Sequence, residues 1–525
     1  MYDYVLVGAG SAGCVLANRL SGGGKTVLLL EAGPHDRDLM VKIPAGISQL
    51  INDPVRNWRF STEPEPHLDN RRLYWPRGKT LGGSSSINGM IYIRGQPEDY
   101  EGWKAQGNTG WGWADVLPYF KRSEHNESGA DPWHGGDGEL FVSGPRFRHP
   151  SSEAFIEAAV ASGIPLARDF NGARQEGAGF YQFTIRDGMR CSTSQAFLAR
   201  AGSNLRIETD SQVQRINFEG SRASGVTYRA RAGDVVEMRG REIVLCAGAI
   251  GSPQLLMVSG VGPAADLKRL GIPVVHDLPG VGLNLHDHLY IHHYSEVAPE
   301  CSINRAMQGW RLLPAIVDYG LRRRGLLTLA ASQAAAFVRS DETLSRPDLQ
   351  LMFKPYTLEA RNGKIMPTKT AGLSTLVSPL RPKSRGWLRL ASADPAAAPL
   401  MCANYLAEAA DREAMVAGLK IIRRVFSHAP LDDIARESAP GPDIVSDEAL
   451  DAFVRANAQS MYHPVGSCKM GNDPMAVVDD RLRVHGIANL RVVDASIMPD
   501  IVSGNTNAAT IMIAEKAADF LRGVA

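Results

Sequence analysis

The chain opens on an apolar run without polar alternation, Tyr4-Val5-Leu6-Val7, which predicts a short buried strand. Cys14 to Leu20 predicts a helix, and Thr26 to Leu30 a second buried strand ending at Glu31. Ser151 to Ser162 reads as an amphipathic helix. Leu205 to Thr209, Val213 to Phe218 and Gly225 to Arg229 alternate as short strands do. Glu242 to Gly248 is another buried strand, meeting a glycine turn. Beyond Tyr290 the character changes. Leu349 to Phe353, Ser374 to Leu380 and Gly386 to Leu390 predict strands of one antiparallel sheet. Met415, Leu419, Ile422 and Phe426 recur at helical spacing, with Asp411 as N-cap and Pro430 as a stop. Gln308 to Gly320 is an apolar helix pattern followed by Arg322-Arg323-Arg324 and Gly325. Basic residues that complement a helix C-terminus before a glycine cap explain it, and a membrane-contact patch is the alternative. Leu490 to Asp494 predicts a last buried strand, and Ala508 to Leu521 a helix.

The first of these units carries chemistry. Between strand and helix stands Gly8-Ala9-Gly10-Ser11-Ala12-Gly13, a G-x-G-x-x-G turn with an acid at the end of the next strand. Gly8 permits the turn, Gly10 lets backbone approach a pyrophosphate, and Gly13 lets helix and strand pack closely. Ser11 and Ala12 stand in the same turn, where a helix N-terminus offers free N–H groups and partial positive charge. Glu31 can accept hydrogen bonds from both hydroxyls of an adenosine ribose, with Ala32 beside it. The motif does not separate NAD from FAD.

Composition narrows the partners. At 525 residues the chain predicts two domains. It is 44% hydrophobic and 22% charged, ordinary for a globular protein, and its net charge of +1 argues against nucleic acid. Six cysteines without C-x-x-C pairing read as buried or free thiols in a reducing compartment. Met1 runs almost directly into the first strand, and no run of about 18 apolar residues exists. These features lead us to expect a cytoplasmic protein without a transmembrane segment, with peripheral contact at the inner membrane as an option.

A dense run of small residues, Gly78-Lys79-Thr80-Leu81-Gly82-Gly83-Ser84-Ser85-Ser86-Ile87-Asn88-Gly89, means that backbone must approach something closely. This run resembles the first signature of the GMC (glucose–methanol–choline) oxidoreductases. Gly248 to Gly262 resembles the second, and Gly280 to His288 and Tyr462-His463-Pro464-Val465-Gly466 match further family patterns. The nearest likeness is to the choline-dehydrogenase-like and aliphatic alcohol dehydrogenase branch.

The resemblance implies FAD rather than NAD, and an α/β FAD-binding (Rossmann-like) domain with an interleaved α+β substrate domain built on an antiparallel sheet. Residues 1–155, 203–290 and 460–525 would form the first, and 156–202 and 291–459 the second. It implies that Leu81 to Asn88 runs along the pyrophosphate and flavin, with Gly78, Leu81, Gly83, Ser84, Asn88, Gly89, Met90 and Ile91 as cofactor contacts. Val213 would cap the adenine through its backbone, and Ala247, Asp494, Ala495, Asn505 and Thr506 would complete the set. Some relatives link the flavin to a histidine just before the asparagine. Ile87 stands there, so the FAD is expected to be non-covalent.

Among thirteen histidines, His463 matches the family's catalytic one, and Asn507 falls on the second member of the pair. An asparagine cannot take a proton, which leaves His463 as base and Asn507 as hydrogen-bond partner of the substrate oxygen. His286, His288, His292, His293 and His485 read as structural; His286 and His288 lack a visible third ligand, so no metal site is expected. The expected reaction is oxidation of a primary alcohol to an aldehyde, with hydride transfer to flavin N5 and a quinone or oxygen as final acceptor. A choline dehydrogenase and an FAD-containing hydroxynitrile lyase are the rival readings.

Overall fold

The computed structural model describes residues 1–22, 24–361 and 364–524. Its first sheet is centred on Tyr2–Val7, which pairs in parallel with Val27–Leu30 on one side and with Val235–Leu245 on the other. Leu205–Glu208 and Leu490–Val492 extend the parallel part. Strand Val235–Leu245 serves two partners. Its last residues, Ile243, Val244 and Leu245, are wholly buried between parallel neighbours. Its first half alternates exposed and half-buried residues and pairs antiparallel with Arg222–Arg229, which pairs in turn with Gln212–Glu219. The burial pattern follows the pairing, because only the parallel half has both faces covered by protein.

Two helices pack together on this sheet, Ser11–Ser21 and the C-terminal Asn507–Arg522. Glu515 fixes their register. Its carboxylate is fully buried and takes Arg19 at 2.8 Å and Arg122 at 2.7 Å, while Arg19 also holds Glu139 at 2.6 Å. A buried charge of this kind is tolerated only when paired and hydrogen-bonded. The pairing aligns the N-termini of both helices at one end of the sheet.

The second sheet is antiparallel, in the order Ala435–Ala439, Leu289–Val297, Gly372–Pro379, Leu349–Lys354, Ala334–Val338, Gly177–Phe180. Helices Pro150–Ala161 and Ala409–Phe426 cover one face. Gly418 is needed there, since a Cβ would stand 2.3 Å from Val377 Cγ2. The opposite face looks into a cavity.

Several expectations change. Gly386–Arg389 does not join this sheet; it pairs with Leu283–Leu285 and Leu400–Cys402 in a sheet of its own. Asp411 is not the N-cap. It sits one turn inside the helix, and its carboxylate accepts from the N–H groups of Lys383 and Ser384 and from Ser384 Oγ. A domain boundary at residue 155 would cut helix Pro150–Ala161, which packs as a whole on the second sheet. The apolar pattern near residue 308 becomes a helix only at Leu313–Arg322, and Arg323 itself takes the left-handed capping position, φ 54°. Among the described residues no helix is long and apolar enough to cross a membrane.

Candidate active site

Where the two sheets face each other lies a cavity of about 740 Å³. One end is built from backbone. Helix Ser11–Ser21 starts at Gly10 with no side-chain cap, and helix Asn507–Arg522 starts at Thr506 with none either. Gly10, Ser11 and Ala12 of the first start and Thr506 and Asn507 of the second line the cavity wall, where a first turn carries free N–H groups and partial positive charge. A Cβ on Gly10 would find only Cys246 O, at 3.8 Å, so Gly10 is open towards the cavity. A Cβ on Gly13 would fall 1.9 Å from Gly8 O, which is the close packing expected of the third glycine. Gly83, at φ 51°, presses on Gly10, where a Cβ would meet Cα at 2.7 Å.

Gly8, Gly10, Ser11, Ala12, Glu31, Ala32 and Val213 line this end. Gly78, Gly83, Ser84, Asn88, Gly89, Met90, Ile91, Ala247, Asp494, Ala495, Asn505 and Thr506 continue the wall. Gly13 stands behind it. Leu81 departs from expectation: it does not line the cavity, because its N–H goes to Pro34 O and its carbonyl takes Ser86 Oγ. Glu31 accepts the N–H groups of Ala9 and Gly33, each at 2.9 Å, one on each carboxylate oxygen. Each oxygen therefore keeps acceptor capacity for a ribose hydroxyl. Burial pushes the Glu31 carboxyl up to about 7, against those two hydrogen bonds.

The other end is built from side chains. His463 follows Tyr462, whose φ of 64° is strained for a tyrosine. Three contacts hold the strain: Tyr462 N–H donates to Ser460 Oγ, Arg77 donates to Tyr462 O, and His463 N–H donates to Asp287 Oδ1 at 2.6 Å. Asp287 also takes the hydroxyls of Ser460 and Tyr405.

The imidazole tautomer follows from its partners. His288 Nε2 is 2.9 Å from Leu380 O, and a carbonyl can only accept, so His288 carries its proton on Nε2. Burial lowers His288 to about 4, so it is neutral and its Nδ1 is a bare acceptor. His463 Nδ1 lies 3.0 Å from that atom and must be the donor. The free lone pair of His463 is thereby placed on Nε2, where Asn505 Nδ2 donates at 3.2 Å. Burial first, then His288 and Arg77, hold His463 well below the ordinary histidine range.

Asn507, expected from the sequence to bond the substrate oxygen, lines the cavity as Asn505 does. Asn507 does not reach the imidazole; its Oδ1 accepts from Ser11 Oγ at 2.6 Å and ties the starts of the two helices together. Asn505 is the neighbour of the base, and its Oδ1 is buried without a hydrogen-bond partner among the described residues. His286 is occupied by backbone, with Asn284 O and Ile501 N–H as partners. His288, read as merely structural in the sequence, sets the tautomer of His463. His292 and Lys354 stand on the cavity wall, a placement that periodicity gives no sign of.

A glycine-rich nucleotide turn opening onto a chamber that also holds a buried, neutral imidazole is the arrangement of a dinucleotide-binding protein. The comparisons narrow it. Family models described as GMC oxidoreductase match residues 2–290 and 382–514. "Alcohol dehydrogenase [acceptor]" of Pseudomonas putida is 46% identical over 529 residues, 99% of this chain and 96% of the relative. "Choline dehydrogenase, mitochondrial" of Homo sapiens is 45% identical over 535 residues, covering 99% and 90%. The solved structure of pyridoxine 4-oxidase from Mesorbium loti superposes with a TM-score of 0.88 at 33% identity, covering 99% and 98%. The chain belongs to the GMC oxidoreductases, FAD-dependent enzymes acting on CH–OH donors. Its cavity fits that cofactor: two uncapped helix starts, an open Gly10 and a ribose-competent Glu31 stand along one wall, and Asn505 keeps an unmatched buried oxygen.

Proposed function

We propose that the protein oxidises a primary alcohol to its aldehyde, with His463 as the base. The observation that carries this reading is the hydrogen-bond chain from Leu380 O through His288 to His463, which leaves Nε2 bare and facing the cavity. FAD, when bound, supplies the hydride acceptor. The substrate hydroxyl displaces Asn505 as donor to Nε2, and the imidazole takes its proton. Nδ1–H keeps its bond to His288, whose lone pair stabilises the resulting imidazolium. Asn505 Nδ2–H then points at the alcohol oxygen and stabilises the charge developing on it. Ile87 lines the cavity and has no nucleophilic atom, so we read the FAD as held non-covalently. We keep 1–155, 203–290, 460–525 and 156–202, 291–459 as the proposed domains, with the first boundary moved from 155 to 149 so that the Pro150–Ala161 helix falls whole in the second. Anaerobic mixing with a panel of primary alcohols tests the reaction: bleaching of the flavin supports it, and a flavin that stays oxidised with every alcohol contradicts it.

The proposal extends to the electron acceptor. Helix Leu313–Arg322 leaves its apolar face outside, with Val317 58% and Leu321 80% exposed, and Trp310 in the 3₁₀ turn before it is 73% exposed. Arg311, Arg322, Arg323 and Arg324 surround them, and the helix packs against Leu326–Thr328, next to cavity residues Leu329 and Ala330. We read this as a peripheral contact with an anionic membrane on its cytoplasmic side, which would put a membrane quinone within reach, with oxygen as the alternative acceptor. Co-sedimentation with phosphatidylglycerol vesicles that Leu321→Glu does not weaken would refute the contact.

A further inference from the structure

In the chamber in front of His463 stands a cation, Lys354, that no described residue pairs with. Lys354 ends strand Leu349–Lys354 and stands opposite Ser374, which stands opposite Tyr294 on the next strand. Lys354, Ser374, Tyr294 and His292 all line the cavity. Ser374 Oγ is 2.7 Å from His292 Nδ1, and the Lys354 ammonium makes no hydrogen bond or ion pair with any described residue. Glu359 lines the same chamber without pairing to Lys354. Enclosure alone lowers Lys354 to about 8, so it stays mainly protonated at neutral pH, and its charge helps hold His292 neutral.

Lys354 is half-buried, and its ammonium opens onto the cavity without a partner among the described residues, so it is available to an anionic ligand. One cation on the same cavity-facing sheet surface as a serine and a tyrosine matches the charge of a carboxylate and its need for donors. A phosphate dianion calls for an arginine fork or several donors. A quaternary ammonium alcohol would meet like charge there.

We propose that Lys354 receives a carboxylate on the substrate, so that the enzyme acts on hydroxy acids and rejects choline. This rests on the reading of His463 as base towards an alcohol, since the two groups face the same chamber.

The test compares linear ω-hydroxycarboxylates of increasing chain length with their methyl esters and with choline, by anaerobic flavin reduction. It is paired with calorimetric titration of the holoenzyme with non-oxidisable dicarboxylates of matching length. For the best chain length we expect the acid to have a KM about 10- to 100-fold below that of its ester, the usual worth of a charged hydrogen bond. Choline should reduce the flavin least. Lys354→Met should bring the acid to the level of its ester in the same variant and abolish dicarboxylate binding. Equal KM values for acid and ester in the wild-type enzyme, a measurement that needs no variant, would overturn the proposal. So would a preference for the acid that survives in Lys354→Met. If no alcohol reduces the flavin yet dicarboxylate binding depends on Lys354, the anion site stands and the oxidation reading falls.

Discussion

The two ends of the cavity are made of different material. At the nucleotide end, the glycine turn and two uncapped helix starts present backbone N–H groups, and Glu31 is one of the few side chains that matter. At the His463 end, backbone recedes. His288 comes from the lead into Leu289–Val297, Lys354 from the end of Leu349–Lys354, His463 from a strained loop and Asn505 from the turn before the last helix. The difference predicts how each end breaks. A backbone site is destroyed by adding atoms, a side-chain site by removing them.

The largest effect should come from adding one methyl group behind the nucleotide end. Gly13→Ala puts carbon 1.9 Å from Gly8 O, so no FAD-containing protein should be recovered. Gly10→Ala has its nearest neighbour at 3.8 Å and should fold with a normal melting temperature, yet hold little flavin. Flavin absorbance per protein and a thermal melt distinguish them. If Gly10→Ala retains full FAD, the wall is not where the pyrophosphate lies.

Removing the base comes next. His463→Ala should slow flavin reduction roughly 10²–10⁴-fold, the usual contribution of a positioned base, while FAD content stays high. A smaller split sharpens the contrast between the two asparagines. Asn505→Ala should slow reduction roughly 10²-fold by loss of a donor to the developing oxyanion. Asn507 lines the cavity and its Oδ1 accepts from Ser11 Oγ, so Asn507→Ala should slow reduction less than Asn505→Ala and weaken FAD retention more. Stopped-flow rates on fully loaded enzyme would expose a reversal of these two phenotypes.

The mildest change is at Glu31. Glu31→Ala removes the acceptor of the Ala9 and Gly33 N–H groups and, on our reading, of two ribose hydroxyls, a loss of roughly 1.5–3 kcal/mol for bonds to a charged group. FAD should dissociate on dialysis and return when added in excess. FAD content unchanged by dialysis would place the ribose elsewhere.

The same contrast explains what could be read from the chain alone. Gly8 to Glu31 is contiguous, and each glycine encodes a local backbone need, so that end was legible without a fold. The GMC resemblance extended it to most of the wall. Leu81 was misplaced because a loop residue's direction depends on where its own N–H and carbonyl go, here to Pro34 and Ser86. Asn505 and Asn507 flank Thr506 where an irregular turn after Gly504, φ 135°, meets the last helix; both line the chamber, and no periodicity tells which of them lies beside His463. His288 and His463 are far apart in sequence, and only strand pairing brings them together. Lys354 closes an apolar strand, so it reads as a strand end until neighbouring strands show which face it shares. The helix at Pro150–Ala161 was correctly predicted, but its allegiance to the second sheet is a property of packing.

The central claim is that His463 is a neutral base with its lone pair on Nε2, kept so by burial and by His288. Its direct test is the pH dependence of kcat/KM for anaerobic flavin reduction. A base must be unprotonated to act, so the rate rises with pH through its ionisation and then levels. Because burial, His288 and Arg77 hold that ionisation well below the ordinary histidine value, the account predicts a plateau through the neutral range, with loss only in acid. A rise centred at or above about 6.5, the value of an unperturbed imidazole, would contradict it.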